Sequence, residues 1–234
     1  MNTLHILSGG AAQGLVRRME PVISEHTGHA LQAQFGAVGA MQEQLLAGAA
    51  CDVLILSRTL IAGLEARGLV LAGSARDLGS VATGVAFPDG APPADVASRD
   101  TLAASLRAAR GIYFPDAAKA TAGIHFMKVL VELQLAEELA PRLRQYPNGV
   151  EAMRAMAAAT AAGEDGLMGC TQVTEILFTP GVRLAAHLPA GLELNTIYTA
   201  AVVAHSARID AATALIDILT GAQAAQARQA TGFG

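Results

Sequence analysis

The chain has 234 residues, of which 52% are hydrophobic and 15% are charged, and its net charge at neutral pH is −4. This composition excludes a disordered chain, and the length suffices for one large domain or two small lobes. The slightly acidic balance argues against a nucleic-acid partner, which would require a basic face.

Apolar strands and amphipathic helices alternate along the chain. The predicted strands cover residues 4–7, 30–35, 52–56, 81–87, 111–114, 166–170, 182–186 and 196–204. The predicted helices cover residues 15–23, 41–46, 60–67, 99–108, 124–135, 150–161, 175–177, 209–219 and 222–229. Several strands are apolar throughout, as in strands buried on both faces of a parallel sheet. The alternation predicts an α/β protein with right-handed crossovers between parallel strands.

The cysteines and the N-terminal residues bear on the cellular compartment. Cys51 and Cys170 lie far apart in apolar segments, which favours two buried free thiols over a disulfide. Residues 1–8 lack the basic region and the apolar run of a secretory signal. We therefore expect a cytoplasmic protein, or a periplasmic one if a leader has been trimmed. We expect no membrane span, because no apolar run reaches the necessary length.

Small or hydroxyl-bearing residues follow four of the predicted strands at the point where a helix begins. These corners lie at residues 8–14, 36–40, 115–123 and 171–174, two in each half of the chain. The unpaired amides at a helix N-terminus point outward and suit an anion. Because open α/β sheets bind ligands beyond the carboxyl ends of their strands, we expect the corners to face one another across a ligand cleft.

Particular stretches in this order resemble a known family. They are Ser8-Gly9-Gly10, residues 35–40 followed by 45–55, residues 120–125 and residues 231–233. The chain resembles the type II periplasmic binding proteins, in the molybdate-binding branch that also includes aconitate isomerase. The resemblance implies a monomeric two-lobe clamp with a mostly parallel sheet in each lobe and a hinge of two crossing strands. Lobe 1 would hold residues 1–82 and 200–234, and lobe 2 residues 83–199.

The first two corners depart from the family pattern. Molybdate binders of this kind hold the oxyanion with a hydroxyl at each of these corners. Here the aligned positions are Gly10 and residues 37–39, which carry no hydroxyl. Backbone amides remain, and amides suit a carboxylate. We therefore expect a small organic anion, a di- or tricarboxylate rather than molybdate.

Hydroxyls, amides and small residues at the corners are the candidate ligand-binding groups. The predicted ligand-binding residues are Ser8, Gly9, Gly10, Val38, Gly39, Thr121, Thr171 and Gln172. For the hydroxyls of Ser8, Thr121 and Thr171 the alternative is that each caps its own helix. Glu175 follows the fourth corner and can be interpreted as a first-turn carboxylate that complements the helix dipole.

His125 and Tyr198 are the candidate catalytic residues. His125 falls in the first turn of a predicted helix, where a neutral imidazole could move a proton, and a packed structural histidine is the alternative. Tyr198 lies on a predicted crossing strand, where it could reach a ligand or simply pack. The six histidines are dispersed and no metal-ligand motif occurs, so we expect neither a metal nor a cofactor.

The leading hypothesis is a cofactor-independent isomerase of an unsaturated carboxylate, with a double-bond and proton shift of the aconitate isomerase type. The alternative is a non-catalytic solute-binding protein. It would serve a molybdate-type ABC transporter, its partner in that case, or act as a cytoplasmic anion sensor. A binding protein needs the closing clamp but no group that moves a proton.

Overall fold

The computed structural model describes residues 3–92 and 94–234. The strands are β1 Thr3–Gly9, β2 Ala30–Gly36, β3 Val53–Ser57, β4 Arg76–Pro88, β5 Gly111–Pro115, β6 Leu143–Tyr146, β7 Leu167–Gln172, β8 Val182–His187 and β9 Asn195–Val202. The α-helices are α1 Gln13–Thr27, α2 Val38–Leu46, α3 Arg58–Ala66, α4 Arg99–Ala108, α5 Thr121–Glu132, α6 Ala136–Leu139, α7 Gly149–Ala161, α8 Val173–Phe178, α9 Ile209–Thr220 and α10 Ala225–Ala230. The predicted α/β class is confirmed.

The chain separates into two compact units. One unit contains the chain up to Val81 together with Thr196–Gly234, and the other contains Ala82–Asn195. The sequence predicted that the first lobe ends at residue 82, one residue later than here, and resumes at residue 200, four residues later than here. The cleft predicted between the lobes stays a prediction.

The sheet of the first unit has a parallel part and one antiparallel strand. β1 lies between β2 and β3 and is parallel to both, while β9 runs antiparallel to β3. Gly9 pairs with Gly36, so the carboxyl ends of β1 and β2 meet at one edge. The first two predicted corners therefore leave the sheet side by side. Val53 to Leu56 of β3 are fully buried, as their apolar pattern predicted.

The second unit repeats this arrangement around β5. β5 is parallel to β6 on one side and to β7 on the other, and β4 runs antiparallel to β7. β8 pairs with β4 in the antiparallel sense. Successive residues of β5 point to opposite faces of the sheet and pack into different apolar clusters. Phe114 packs in one cluster with Phe126, and Tyr113 packs in the other with Met153. Both faces of this sheet are therefore covered.

Some elements were not predicted. β6, α6 and the first residues of β4 lie in stretches with many polar residues and little apolar periodicity. Cys51 and Cys170 are buried free thiols, as expected. Burial raises the pKa of both thiols, that of Cys51 to about 12. In the part of the chain that the structure describes, no helix has the length and apolar character of a membrane span.

Candidate functional site

The first corner brings three of the predicted residues together. Gly9 ends β1, and a Cβ at this position would lie 2.9 Å from Val38 Cγ1 and 3.0 Å from Tyr198 Cε1. Only glycine permits this approach without displacing its neighbours. The ring of Tyr198 also packs edge-on against Phe233, with ring centroids 6.4 Å apart. Tyr198 is thus a buried residue beside the first two corners.

The hydroxyl of Ser8 is engaged by the chain itself. Ser8 is fully buried, and its Oγ donates a hydrogen bond of 2.9 Å to the carbonyl oxygen of Gly9. The hydroxyl therefore does not cap the following helix. Gly10 opens a short 3₁₀ turn, Gly10–Ala12, that leads into α1.

The second corner offers amides without a side-chain cap. Val38 and Gly39 are the first two residues of α2, whose N-cap residue is Ala37, and no side chain caps this helix. The amides of such a first turn lack intrahelical partners. By contrast, Ser98 caps α4 and Asn148 caps α7.

Thr121 and His125 lie in the first two turns of α5. This helix also begins without a side-chain cap. Thr121 makes no side-chain hydrogen bond to any described residue, so its hydroxyl is free for a ligand. His125 is half-buried, and its Nε2 lies 2.8 Å from the carbonyl oxygen of Leu192. Because a carbonyl only accepts, Nε2 donates this hydrogen bond.

At the fourth corner, Thr171 and Gln172 bind the carboxyl of Glu175. The Oγ1 of Thr171 donates to Oε2 of Glu175 over 2.5 Å, and the backbone amides of Gln172 and Gly149 donate to the same carboxyl. Thr171 is fully buried and Glu175 is 5% exposed. The hydroxyl of Thr171 thus serves neither as a helix cap nor as a free ligand donor.

The proton affinity of Glu175 reflects two opposing effects. Burial disfavours the charged carboxylate, and the three hydrogen bonds favour it. Burial is the larger effect and raises the pKa of Glu175 to about 7. The pKa of this carboxyl therefore lies well above that of a solvated glutamate. Carboxyls with such values are suited to general acid–base chemistry.

Two buried hydroxyls close to this corner lack partners. Thr83 Oγ1 and Thr174 Oγ1 make no hydrogen bond to any described residue. Thr83 pairs with Gln172 across the β4–β7 ladder, and Thr174 directly precedes Glu175. A buried polar group without a partner costs about 1–3 kcal/mol. A bound polar ligand could supply the hydrogen-bond partners that these two hydroxyls lack.

Glu175 was not among the residues predicted to be functional, and neither were Gly149 and Thr83. The sequence shows Glu175 three residues after Gln172, which is the spacing between a helix N-cap residue and a carboxylate that accepts from its backbone amide. The backbone amide of Gly149, which donates to the Glu175 carboxyl, belongs to another helix, and no local sequence pattern predicts this contact. Among the described residues, no group of three or more His, Cys, Asp or Glu side chains is placed to hold a metal ion.

A cavity of about 450 Å³ lies elsewhere in the second unit. It is mostly apolar and is lined by Phe87, Ala109 and Leu167, among others. Leu167 begins β7, whereas Gln172 ends it, so the cavity is at the opposite edge of this sheet from the fourth corner. None of the predicted site residues lines it, and we place the candidate site at the corners, where the hydrogen-bonding groups are.

Comparisons with known proteins agree with this architecture. Over 239 aligned residues the chain is 28% identical to an aconitate isomerase from Pseudomonas sp., covering 100% of this chain and 88% of that protein. A periplasmic molybdate-binding protein from Azotobacter vinelandii superposes with a TM-score of 0.79 at 18% identity, over 99% of this chain and 98% of the other. The sulfate-binding protein SubI from Mycobacterium tuberculosis H37Rv superposes with a TM-score of 0.74 at 16% identity, over 100% and 86%. The structural matches show a shared fold.

A family model settles the membership. The model described as bacterial extracellular solute-binding protein matches residues 4–234. The match spans both units and all four corners. The chain belongs to the family of bacterial extracellular solute-binding proteins.

Proposed function

We propose that the protein binds a small di- or tricarboxylate at its strand-to-helix corners and isomerises it, without a cofactor, by moving a double bond. The observation that carries this proposal is the similarity to an aconitate isomerase, which extends over the whole chain. Aconitate is an unsaturated tricarboxylate. Membership of a solute-binding family supports the binding of a small ligand as the common first step.

The donors at the corners support a carboxylate as the ligand. In the first unit, the hydroxyl of Ser8 already donates to the carbonyl of Gly9. The donors that remain are the amides at the start of α2, at Val38 and Gly39, because no side chain caps this helix. In the second unit, the hydroxyl of Thr121 has no hydrogen-bond partner among the described residues. Amides and isolated hydroxyls are suited to carboxylate oxygens, whose negative charge is favoured at helix N-termini.

The proposed reaction needs charge stabilisation and a proton carrier. Removal of a proton from the carbon next to a carboxylate produces a delocalised, enolate-like anion, which fixed donors stabilise in the transition state. His125 and Tyr198 are the sequence-based candidates for the carrier. In His125, Nδ1 is the nitrogen left to accept a proton, because Nε2 is bound to Leu192.

The second candidate function is ligand binding without turnover. The similarity of the fold to proteins named for molybdate and sulfate binding favours it. In that case the protein is a receptor for a transporter or an anion sensor. The two functions share the binding step and differ only in whether the bound acid changes.

A ligand screen followed by product analysis tests the proposal. Melting temperature is measured with cis- and trans-aconitate, citrate, tricarballylate, fumarate, molybdate, tungstate and sulfate. We expect cis- and trans-aconitate to raise the melting temperature. We also expect the protein to convert each into the other, as measured by chromatography of the acids after the protein has been removed. Stabilisation by a tricarboxylate that is recovered unchanged would replace the isomerase with the binding function. Stabilisation by molybdate alone would contradict the expected ligand class.

A further inference from the structure

The carboxyl of Glu175 is bound by three donors that come from two elements of the second unit, β7 and α7. Thr171 at the end of β7 supplies a hydroxyl, and the following Gln172 supplies a backbone amide. Gly149 at the start of α7 supplies a second amide, although it lies 26 residues earlier in the chain. This set of donors is therefore built by tertiary packing, and it exceeds what a first-turn carboxylate needs to cap α8.

Among the described residues, no charged side chain is a cause of the pKa shift of Glu175. α7 carries Glu151 and Arg154, which are both exposed, and Glu151 accepts a hydrogen bond from Asn148. β8 carries the exposed His187, and Arg183, whose guanidinium lies over the ring of Phe87. β7 adds only the buried thiol of Cys170, and burial keeps that thiol protonated by raising its pKa. The pKa shift of Glu175 arises from burial and hydrogen bonds.

We propose that Glu175 is the group that takes and returns the proton during the isomerisation. The inference rests on the proposed function and names its proton carrier. The carboxylate of Glu175 accepts a proton from the saturated carbon next to a substrate carboxylate. The electron pair of the broken C–H bond enters the allylic system, and the resulting anion is delocalised over the conjugated carboxylates. Protonated Glu175 then returns the proton to the carbon at the other end of this system. The π pair of the original double bond forms the new C–H bond there and the new double bond takes the other position, so nothing is oxidised or reduced.

The polar surroundings of Glu175 favour it in this role. Thr174 precedes it and Thr83 pairs with Gln172, and the hydroxyls of both threonines are buried without a hydrogen-bond partner among the described residues. These hydroxyls provide donors that a substrate carboxylate at this corner could use.

Variants of Glu175 test the proposal with trans-aconitate as the probe. Glu175→Gln mimics the protonated form in shape and cannot accept the proton. We expect its kcat to fall at least about 100-fold, the usual scale of a lost general acid–base group, while the Kd for the probe changes by only a few-fold. Glu137→Gln is the matched control, because Glu137 is exposed on α6, and it should retain wild-type turnover.

The pH profile separates proton transfer from a structural role. In the wild type, kcat/KM should rise with pH through about 7, because the carboxylate form of the free protein begins the reaction. Thr171→Val removes one of the hydrogen bonds that lower the pKa of Glu175. The rise in kcat/KM should therefore move to higher pH. This shift keeps the proposal testable even if Glu175→Gln fails to fold.

The outcomes distinguish this inference from the proposed function. If Glu175→Gln turns over trans-aconitate at the wild-type rate, Glu175 is not the proton carrier, and the isomerase function still stands. The same conclusion holds, and favours His125, if His125→Gln has lost this activity. An unshifted pH profile in Thr171→Val would also overturn it. Absence of conversion by the wild type, with the probe bound, would overturn the isomerase and this inference with it.

Discussion

Gly149 lies against the carboxyl of Glu175 so closely that a Cβ at position 149 would overlap both Oε2 of Glu175 and Oγ1 of Thr171. The amide of Gly149 donates to the same carboxyl. The first residue of α7 and the first turn of α8 are thus fitted to each other, and the absent side chain is what permits the contact.

We expect Gly149→Ala to lower the free energy of unfolding by about 1–3 kcal/mol, because the added methyl overpacks a buried contact. Gly63→Ala is the matched control, since Gly63 lies in α3 with open space around it. The control should be neutral or raise the free energy of unfolding by about 0.5–1 kcal/mol, because alanine favours the helix. Urea denaturation measures both, and equal values for the two variants would contradict the tight fit.

The raised pKa of Glu175 links stability to pH. The unfolded chain releases this proton near the ordinary value of 4.5, and the folded chain releases it near 7. Between these values the folded state binds more protons, so its free energy of unfolding decreases as pH rises, by about 3 kcal/mol in all.

Glu175→Gln should remove this decrease, whereas Glu25→Gln, which alters an exposed residue of α1, should preserve it. Denaturation at a series of pH values between 4 and 8 gives the comparison. If the free energy of unfolding varies with pH in the same way for the wild type and Glu175→Gln, Glu175 does not titrate as described.

Asp52 secures the first unit through buried hydrogen bonds. Its carboxylate accepts from the amide of His5 over 2.9 Å and from Oγ of Ser206 over 2.6 Å. Asp52→Ala leaves these donors without a partner, and we expect a loss of about 2–3 kcal/mol in the free energy of unfolding.

Arg208 pairs with the same carboxylate at 3.6 Å but is partly exposed, so Arg208→Ala should cost less than about 1 kcal/mol. Thermal or urea denaturation distinguishes the two variants. A larger loss for Arg208→Ala than for Asp52→Ala would assign the stabilisation to the ion pair instead.

Thr121 offers a test of ligand binding that is separate from stability. Its hydroxyl has no described partner at the start of α5, so Thr121→Val should leave the melting temperature of the free protein unchanged. If the hydroxyl donates to a carboxylate, its loss should weaken binding by about 10-fold or more, as for hydrogen bonds to charged groups.

Titration calorimetry with the tricarboxylate that gives the largest thermal shift measures this effect. Thr27→Val serves for comparison, since the hydroxyl of Thr27 bonds to Ile23 within α1, and it should lower stability without weakening binding. Unchanged affinity in Thr121→Val would exclude Thr121 from the binding groups.

The sequence predicted much of the fold because apolar periodicity is local. β3 and α4 were found from their own residues, and α4 runs from Arg99 to Ala108 as predicted. β6 was missed because Leu143–Tyr146 is short, half polar and paired with β5 on one side. Such a strand is specified by its neighbour more than by its own pattern.

The site was harder to predict for a related reason. The corners follow from local sequence, and the structure brings Gly9, Val38 and Tyr198 together. The burial of Glu175 does not follow from local sequence, because it depends on Gly149 approaching from another helix. An acidic residue in a first turn is usually a solvated complement to the helix dipole, and only the tertiary contact changes that interpretation.

Proton NMR of trans-aconitate in D₂O shows whether the bound carboxylate changes chemically. With a catalytic amount of the protein, we expect cis-aconitate resonances to appear, with deuterium entering the methylene and vinyl positions only when the proton on Glu175 exchanges with solvent before it is returned. Glu175→Gln should show neither within the same time. A wild-type sample that binds trans-aconitate and leaves its spectrum unchanged would exclude its isomerisation and favour the binding function.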